Sequence, residues 1–225
     1  MKLKDLIWIM ILILITGFVL IPFTQKIFES TTSSYPYLMG FIKTAVLASM
    51  GELLVNRFKT GNYFSAKGFF LKGIVWGFLG MIFVLIFKVF ASGVVAAQAS
   101  NILPLINNSG FIAKLLTAFL ISLIMNIFFA PSFMLLHRIT DGYIELSGGN
   151  LKALKKVSLK DVVKRIDLYV FVHFVILKTI PLFWIPAHTI TFLLPENYRV
   201  LMAAYLSIAL GILLTVAKSR KETHE

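Results

Sequence analysis

The sequence predicts an all-α fold, a polytopic bundle of about six transmembrane helices. Of its 225 residues 58% are apolar and 14% are charged, and the mean hydropathy is +0.87. A soluble domain is about half apolar and roughly a quarter charged. One core of this size could not hide the excess apolar surface, so an apolar solvent such as a bilayer must cover it.

Apolar stretches of membrane-spanning length support this fold class. A helix needs about 20 mostly apolar residues to cross ~30 Å of hydrocarbon. The predicted spans are residues 6–23, 37–55, 73–97, 115–136, 168–185 and 198–217. We interpret 1–225 as a single membrane domain, with an extra span and linker in 1–34, a helix bundle in 35–214 and a basic loop in 137–167. Whether 6–23 is a retained helix or a cleaved signal peptide stays open, although no A-x-A site follows it.

Basic residues concentrate in alternate connections of this layout. They are Lys2 and Lys4; Arg57, Lys59, Lys67 and Lys72; Arg138, Lys152, Lys155, Lys156, Lys160, Lys164 and Arg165; and Lys218, Arg220 and Lys221. Cytoplasmic loops are the ones enriched in Lys and Arg, so both termini are predicted to be cytoplasmic. The net charge of +12 therefore indicates membrane topology and anionic lipid headgroups as partners, not nucleic acid. Because no transit peptide is visible, we expect a bacterial inner membrane and not an organelle.

The basic loop 137–167 has two interpretations. Gly148, Gly149 and Asn150 interrupt it, and apolar residues then recur among lysines at near-helical spacing, as in a helix lying on the cytoplasmic leaflet. Alternatively, Ser158 with Asp161 three residues later begins a helix that runs into the fifth span.

Ionisable groups inside spans are costly and are therefore candidates for function. Counting from the span ends places Lys43, Lys88 and Lys178 at the centre or in the outer half of the membrane. They could line an electropositive vestibule for anionic solutes. Lys43 and Lys88 could equally extend along lipid to the interface, whereas the depth of Lys178 favours an interior role.

Other polar and small residues in the spans suggest lining or packing. Glu52 and Asn56 share a helix face, which usually points into a bundle. Asn126 precedes Pro131, which either kinks the fourth span or interrupts it at a binding site. Gly73, Gly77 and Gly80 lie on one side of the third span and predict close helix packing.

Chemistry-bearing motifs are missing from the sequence. There is no cysteine, which excludes disulfides and thiolate metal sites. We expect no metal-ligand spacing at His137, His173 and His188, on the interpretation that none has a histidine or carboxylate at i+4. We interpret Asp141 and Glu145, beside Arg138, as a solvated face. G-x-S-x-G, P-loop and H-E-x-x-H patterns do not occur. We therefore expect neither an enzyme nor a bound metal or cofactor.

Several features occur in one order that resembles the Mpv-seventeen family, which includes the twenty-two-kilodalton peroxisomal membrane protein. The matching positions are Tyr35-Pro36, Gly51-Glu52, Asn56, the glycines 73, 77 and 80 followed by Lys88, Met125-Asn126 with Ala130-Pro131, and finally Trp184, Pro186, His188, Phe192 and residues 195–201. The likeness covers about 35–214. The family has acidic or Gln side chains at several of the polar positions and is usually described with four spans, so the 6–23 span is extra.

The resemblance implies a channel-like protein for small solutes. Taken with the buried charges, it leads us to expect a channel or transporter for small hydrophilic, anionic solutes. The lining candidates are Glu52, Asn56, Lys88, Asn126 and Lys178, with Arg199 at the outer mouth. A non-transporting structural or lipid-organising protein is the alternative. Solute identity, coupling, gating and oligomeric state, including a homo-oligomer, stay open.

Overall fold

The computed structural model describes residues 3–64, 67–107 and 110–222, with side chains described as far as Leu213. These residues form helices and contain no strand, which confirms the all-α fold. The elements are α1 (Leu3–Leu20), α2 (Pro22–Ser34), α3 (Pro36–Thr60), α4 (Phe69–Ala99), α5 (Phe111–Phe128), α6 (Ala130–Leu146), α7 (Leu151–Leu154), α8 (Leu159–Lys164), α9 (Leu168–Val170), a π-helical segment (Phe171–Trp184), α10 (Ile185–Leu193) and α11 (Glu196–Glu222).

Five of the described helices are long and apolar enough to cross a membrane, which makes the chain an integral membrane protein. They are α1, α3, α4, α5 and the continuous helix Leu168–Leu193. The sixth predicted span, 198–217, lies within α11 and stays a prediction. The orientation of the termini also stays a prediction. Of the basic residues on which it rests, Lys2 and the side chains of Lys218, Arg220 and Lys221 lie outside the described residues.

The centre of the bundle is the contact of α3 with α4, and α11 packs on another side of α3. The backbones of α3 and α4 meet at Gly40 and Gly80. A Cβ on Gly80 would lie 2.3 Å from the carbonyl oxygen of Gly40 and 1.9 Å from Thr44 Oγ1. A Cβ on Gly77 would lie 2.4 Å from the Phe41 ring, and one on Gly73 would lie 3.2 Å from Ser49 Oγ. This is the close approach expected of the three glycines on α4.

Residues 22–34, in the segment assigned to the extra span and linker, form the helix α2, which the hydropathy pattern does not predict. Pro22 begins the helix, where its missing N–H matters least. Phe28 and Thr32 are buried against the bundle, and the Gln25 amide donates to Tyr198 Oη over 2.7 Å. These contacts with the rest of the bundle stabilise a helix that hydropathy alone does not indicate.

Proline shapes the second half of the bundle. α5 ends at Phe128 and α6 begins at Ala130, so the helix is interrupted where Pro131 cannot donate its hydrogen bond. In contrast, the helix through Pro181 and Pro186 continues to Leu193, eight residues beyond the predicted end at 185. In this helix Thr179 Oγ1 donates to the carbonyl of Phe174 five residues earlier.

The first part of the predicted basic loop, residues 137–146, belongs to α6, and the rest forms short helices, not one surface helix. α7 is a single turn, and α8 begins after Ser158, whose Oγ accepts from the Asp161 amide. The predicted restart at Ser158 is therefore confirmed, but α8 ends at Lys164 and does not continue into the next span. Val162 on α8 is fully buried, and a Cβ on Gly142 of α6 would lie 2.7 Å from its side chain.

Candidate functional site

A polar pocket of about 380 Å³ lies between α2, α3, α4 and the start of α11. Its charged lining residues are Lys43, Lys88, Glu196 and Arg199, and Thr32, Ser33 and Asn197 add neutral polar groups. We call this cavity the Lys43 pocket. Three basic side chains here meet one carboxylate, so the pocket is electropositive.

Lys43 is the buried cation of this pocket, with only 6% of its surface exposed. Its Nζ donates to Thr32 Oγ1 over 2.9 Å and to the carbonyl oxygen of Asn197 over 3.1 Å, and it lies 4.3 Å from the centroid of the Phe28 ring. An ammonium group has three N–H donors. Its two hydrogen-bond acceptors in the described structure are neutral, so no carboxylate in direct contact balances the charge.

The other two cations of the pocket are held loosely or by neutral groups. Lys88 Nζ lies 2.9 Å from Glu196 Oε2, and both side chains are 60% exposed. Arg199 Nε donates to the carbonyl of Leu194 over 3.1 Å, and its guanidinium carbon lies 5.4 Å from the Phe192 ring centroid. The structure therefore brings the predicted residues Lys88 and Arg199 together.

A second polar cluster lies between the end of α3, the start of α4 and α6. We call it the Lys72 cluster; its members are Glu52, Lys72, Trp76, His137, Asp141 and Glu145. Lys72 Nζ lies 3.7 Å from Glu52, 3.6 Å from Asp141 and 3.5 Å from Glu145, and Trp76 Nε1 donates to Glu52 Oε1 over 2.6 Å. One ammonium thus faces three carboxylates, the reverse of the Lys43 pocket.

His137 and Asp141 overturn two predictions. They are four residues apart on α6, with Nδ1 and Oδ2 3.7 Å apart, so the statement that His137 lacks an acidic residue at i+4 is wrong. Asp141 is buried and does not form a solvated face, because α6 packs it against Lys72. Burial lowers the pKa of His137 to about 4 against the raising effect of Glu52, and burial raises the pKa of Asp141 despite Lys72.

The Lys72 cluster also contains the spacing of a metal site. Glu52, His137 and Asp141 each offer a ligand atom, and these atoms lie within 4.8 Å of one another. However, the Lys72 ammonium lies close to two of these carboxylates and already supplies a cation there. We therefore interpret the cluster as an ion-pair network that joins α3, α4 and α6.

Asn126 belongs to neither site. It is fully buried, its Nδ2 donates to the carbonyl of Ser122 over 2.8 Å, and the same nitrogen lies 3.1 Å from Nδ1 of His188. Ser122 Oγ donates to the carbonyl of Ile185 over 2.7 Å. These bonds fasten α5 to α10 inside the bundle.

Two further candidates lie apart from both sites. Lys178 is exposed on the surface of the single chain, and the interior position predicted for it is therefore not observed. The reason is that the helix Leu168–Leu193 packs chiefly through α10 and leaves most of its π-helical segment on the surface. Asn56 is half-buried one turn beyond Glu52, and its backbone carbonyl accepts a hydrogen bond from Thr60 Oγ1.

Fold and composition define a polytopic α-helical membrane protein. No protein-family model matches the chain, and no curated protein and no solved structure is significantly similar to it. The resemblance to the Mpv-seventeen family stays a prediction that rests on the sequence motifs, as does the expectation that the chain is not an enzyme.

Proposed function

We propose that this protein binds small anionic solutes in the Lys43 pocket and passes them across the membrane. One observation supports this most directly: a 380 Å³ pocket holds three basic side chains and one carboxylate. Under the predicted topology, the pocket is on the side opposite the basic loops, where it would receive solutes from outside the cytoplasm.

The surroundings of Lys43 favour an anion as the missing partner. A buried charge without an opposite charge carries a large desolvation penalty, and hydroxyl, carbonyl and ring contacts offset only part of it. An anion in the pocket would receive the third N–H of the ammonium and would neutralise its charge. At an effective dielectric constant of about 20, two unit charges 4 Å apart attract by about 4 kcal/mol.

The Lys88–Glu196 pair suits reversible binding at the mouth of the pocket. Exposed ion pairs contribute only about 0–1 kcal/mol because water and salt screen them. A solute carboxylate or phosphate could therefore replace Glu196 on Lys88 with little loss. In this proposal Lys88 leaves Glu196 to bind the solute, and the ion pair forms again when the solute departs.

Passage through the bundle requires a gate in this proposal. Phe87 lines the pocket and is also part of the apolar core that includes Leu120, Met125 and Phe192. A hydrated solute cannot cross such a core. The apolar packing around Phe87, which we call the floor of the pocket, must therefore open. The helix interruption at Phe129 and the π-helical segment are positions where such a movement could be absorbed.

Proteoliposome flux tests the function. Purified protein should release phosphate and succinate from liposomes faster than neutral erythritol. Lys43→Gln should lower anion flux at least about tenfold, which corresponds to about 1.4 kcal/mol. The matched control is Lys178→Gln, which removes the same charge from an exposed site outside the pocket and should leave the flux within about twofold.

Two results would contradict the proposal. If liposomes with correctly folded protein stay impermeable to all three solutes, the non-transporting alternative is favoured. If Lys43→Gln and Lys178→Gln lower the anion flux equally, the pocket is not the binding site.

A further inference from the structure

An apolar groove of about 350 Å³ adjoins the Lys43 pocket, between α1, α2, α3 and α11. Its exposed side chains include Leu14 and Phe18 on α1 and Ile42 and Val46 on α3. Both helices are long and apolar enough to span a membrane. Because such faces lie against hydrocarbon in a bilayer, the groove has the chemistry of a site for an acyl chain.

Lys43 connects the groove to the polar pocket, since it lines both cavities. On α3 the pocket uses Pro36, Gly40 and Lys43, whereas the groove uses residues from Met39 to Leu47, a length of ~12 Å along the helix. The groove therefore extends farther along α3, away from the pocket. Among the described residues that line the groove, Lys43 is charged and the others carry apolar side chains.

This juxtaposition matches an amphiphile with a negative headgroup, and we propose that an anionic phospholipid binds here. Its acyl chain occupies the groove between α1 and α3, and its phosphate accepts from Lys43, with Lys88 and Arg199 in the same pocket. A neutral or zwitterionic lipid would fill the groove equally well, but it would leave the excess positive charge of the pocket without compensation.

The dimensions of the pocket favour a phospholipid over a free fatty acid. A carboxylate would occupy little of a 380 Å³ cavity, whereas a phosphodiester with its polar substituent fills more of it and can contact several cations. The site shares Lys43 with the proposed solute pocket, but lipid binding does not require solute passage. A binding measurement therefore tests it even if no flux is found.

Photolabelling in lipid nanodiscs tests the site. Full-length protein is placed in phosphatidylcholine nanodiscs that contain a trace of phosphatidylglycerol with a diazirine in its acyl chain, and mass spectrometry locates the adducts after illumination. We expect adducts on the groove residues of α1 and α3. Phosphatidylcholine with the same diazirine chain should give at least fivefold fewer adducts there, as should diazirine-bearing oleic acid.

Variants separate the headgroup from the chain. Lys43→Gln should reduce the phosphatidylglycerol adducts to the phosphatidylcholine level, whereas Lys43→Arg should retain them. Val46→Trp fills the groove without touching the pocket and should reduce adducts at least fivefold. Its control is Val89→Trp, because Val89 is similarly exposed on α4 but lines neither cavity.

The outcomes are distinct. Equal labelling by both phospholipids would overturn the headgroup assignment, and stronger labelling by oleic acid would make the occupant a fatty acid and also overturn it. Should Lys43→Gln misfold, Val46→Trp against Val89→Trp still decides. Equal adduct yields from that pair would show that the groove holds no acyl chain.

Discussion

The two polar regions of this bundle use lysine in opposite ways. In the Lys43 pocket a buried ammonium has neutral hydrogen-bond partners, and the one carboxylate of the pocket is engaged by another lysine. In the Lys72 cluster a single ammonium is surrounded by Glu52, Asp141 and Glu145. The first region has excess positive charge and an open cavity, and the second has excess negative charge and joins three helices.

The comparison shows that a lysine inside a membrane bundle does not by itself indicate a solute site. What distinguishes the two is the charge of the partners and the space beside the ammonium. Lys72 has its charge more than balanced by the protein, so we assign it to stability. Lys43 has a cavity in place of a carboxylate, so we assign it to binding.

The largest effect on the free energy of unfolding is expected from the removal of Lys72. Lys72→Met leaves Glu52 and Asp141 without the Lys72 ammonium, and removing one partner of a buried ionic network costs about 3 kcal/mol or more. Lys43→Met should cost about 1 kcal/mol or less, because water in the pocket can replace the ammonium at Thr32 and Asn197. Thermal unfolding in detergent, followed by tryptophan fluorescence, measures both. Equal midpoints for the two variants would contradict the assignment.

An intermediate effect is expected from pH at the Lys72 cluster. The folded pKa of His137 is about 4 and the reference value is 6.5, so the unfolded chain takes up the proton first as the pH falls. The contribution of His137 is therefore present above about pH 6.5 and is lost toward pH 4, by about 2 kcal/mol between pH 7 and 5.

His137→Gln isolates this contribution. Asp141, whose pKa is raised, acts in the opposite sense because a raised acid favours folding at low pH. The variant retains Asp141, so the difference between its thermal midpoints and those of the unaltered protein reports His137 alone. Identical falls in midpoint between pH 7 and 5 for both proteins would show that His137 is not held neutral.

The smallest effect on stability is expected at the mouth of the Lys43 pocket. Glu196→Gln removes the acceptor of Lys88, and because this pair is 60% exposed it should change the free energy of unfolding by less than about 0.5 kcal/mol. The same change frees Lys88 for solute, so the concentration of phosphate that half-saturates flux should fall. A higher half-saturating concentration would mean that Glu196 assists binding.

Hydropathy predicts much of this fold because the apolar runs set where long helices can lie. It does not predict α2, where residues 22–34 are polar and their helix depends on Phe28 and Thr32 packing against distant segments. The missing N–H of Pro131 predicts the interruption between α5 and α6. The same argument predicts a break at Pro181, but the helix continues through that residue. There, π-helical hydrogen bonding over five residues accommodates the proline.

The sites are less predictable than the fold because they join residues far apart in sequence. Lys43 and Lys88 are visible as charges in apolar runs, but their sharing of a pocket with Arg199 depends on how α3, α4 and α11 pack. The Lys72 cluster had one readable signal, the spacing of His137, Asp141 and Glu145 at i, i+4 and i+8 on one helix face. The partners Glu52 and Lys72 lie on other helices.

The backbone contact between Gly40 and Gly80 limits how this molecule can move. The two backbones approach closely there, and the side chains of Thr44 and Val84 pack beside them, so sliding or twisting of α3 past α4 would make atoms of both helices collide. The two helices therefore move together as one rigid unit, with the Lys43 pocket toward one end and the Lys72 cluster at the other. The backbone of α11 also approaches α3 closely, at Gly51 and Ile208. We therefore expect an opening at Phe87 to involve movement of α5 or α10 relative to α3 and α4.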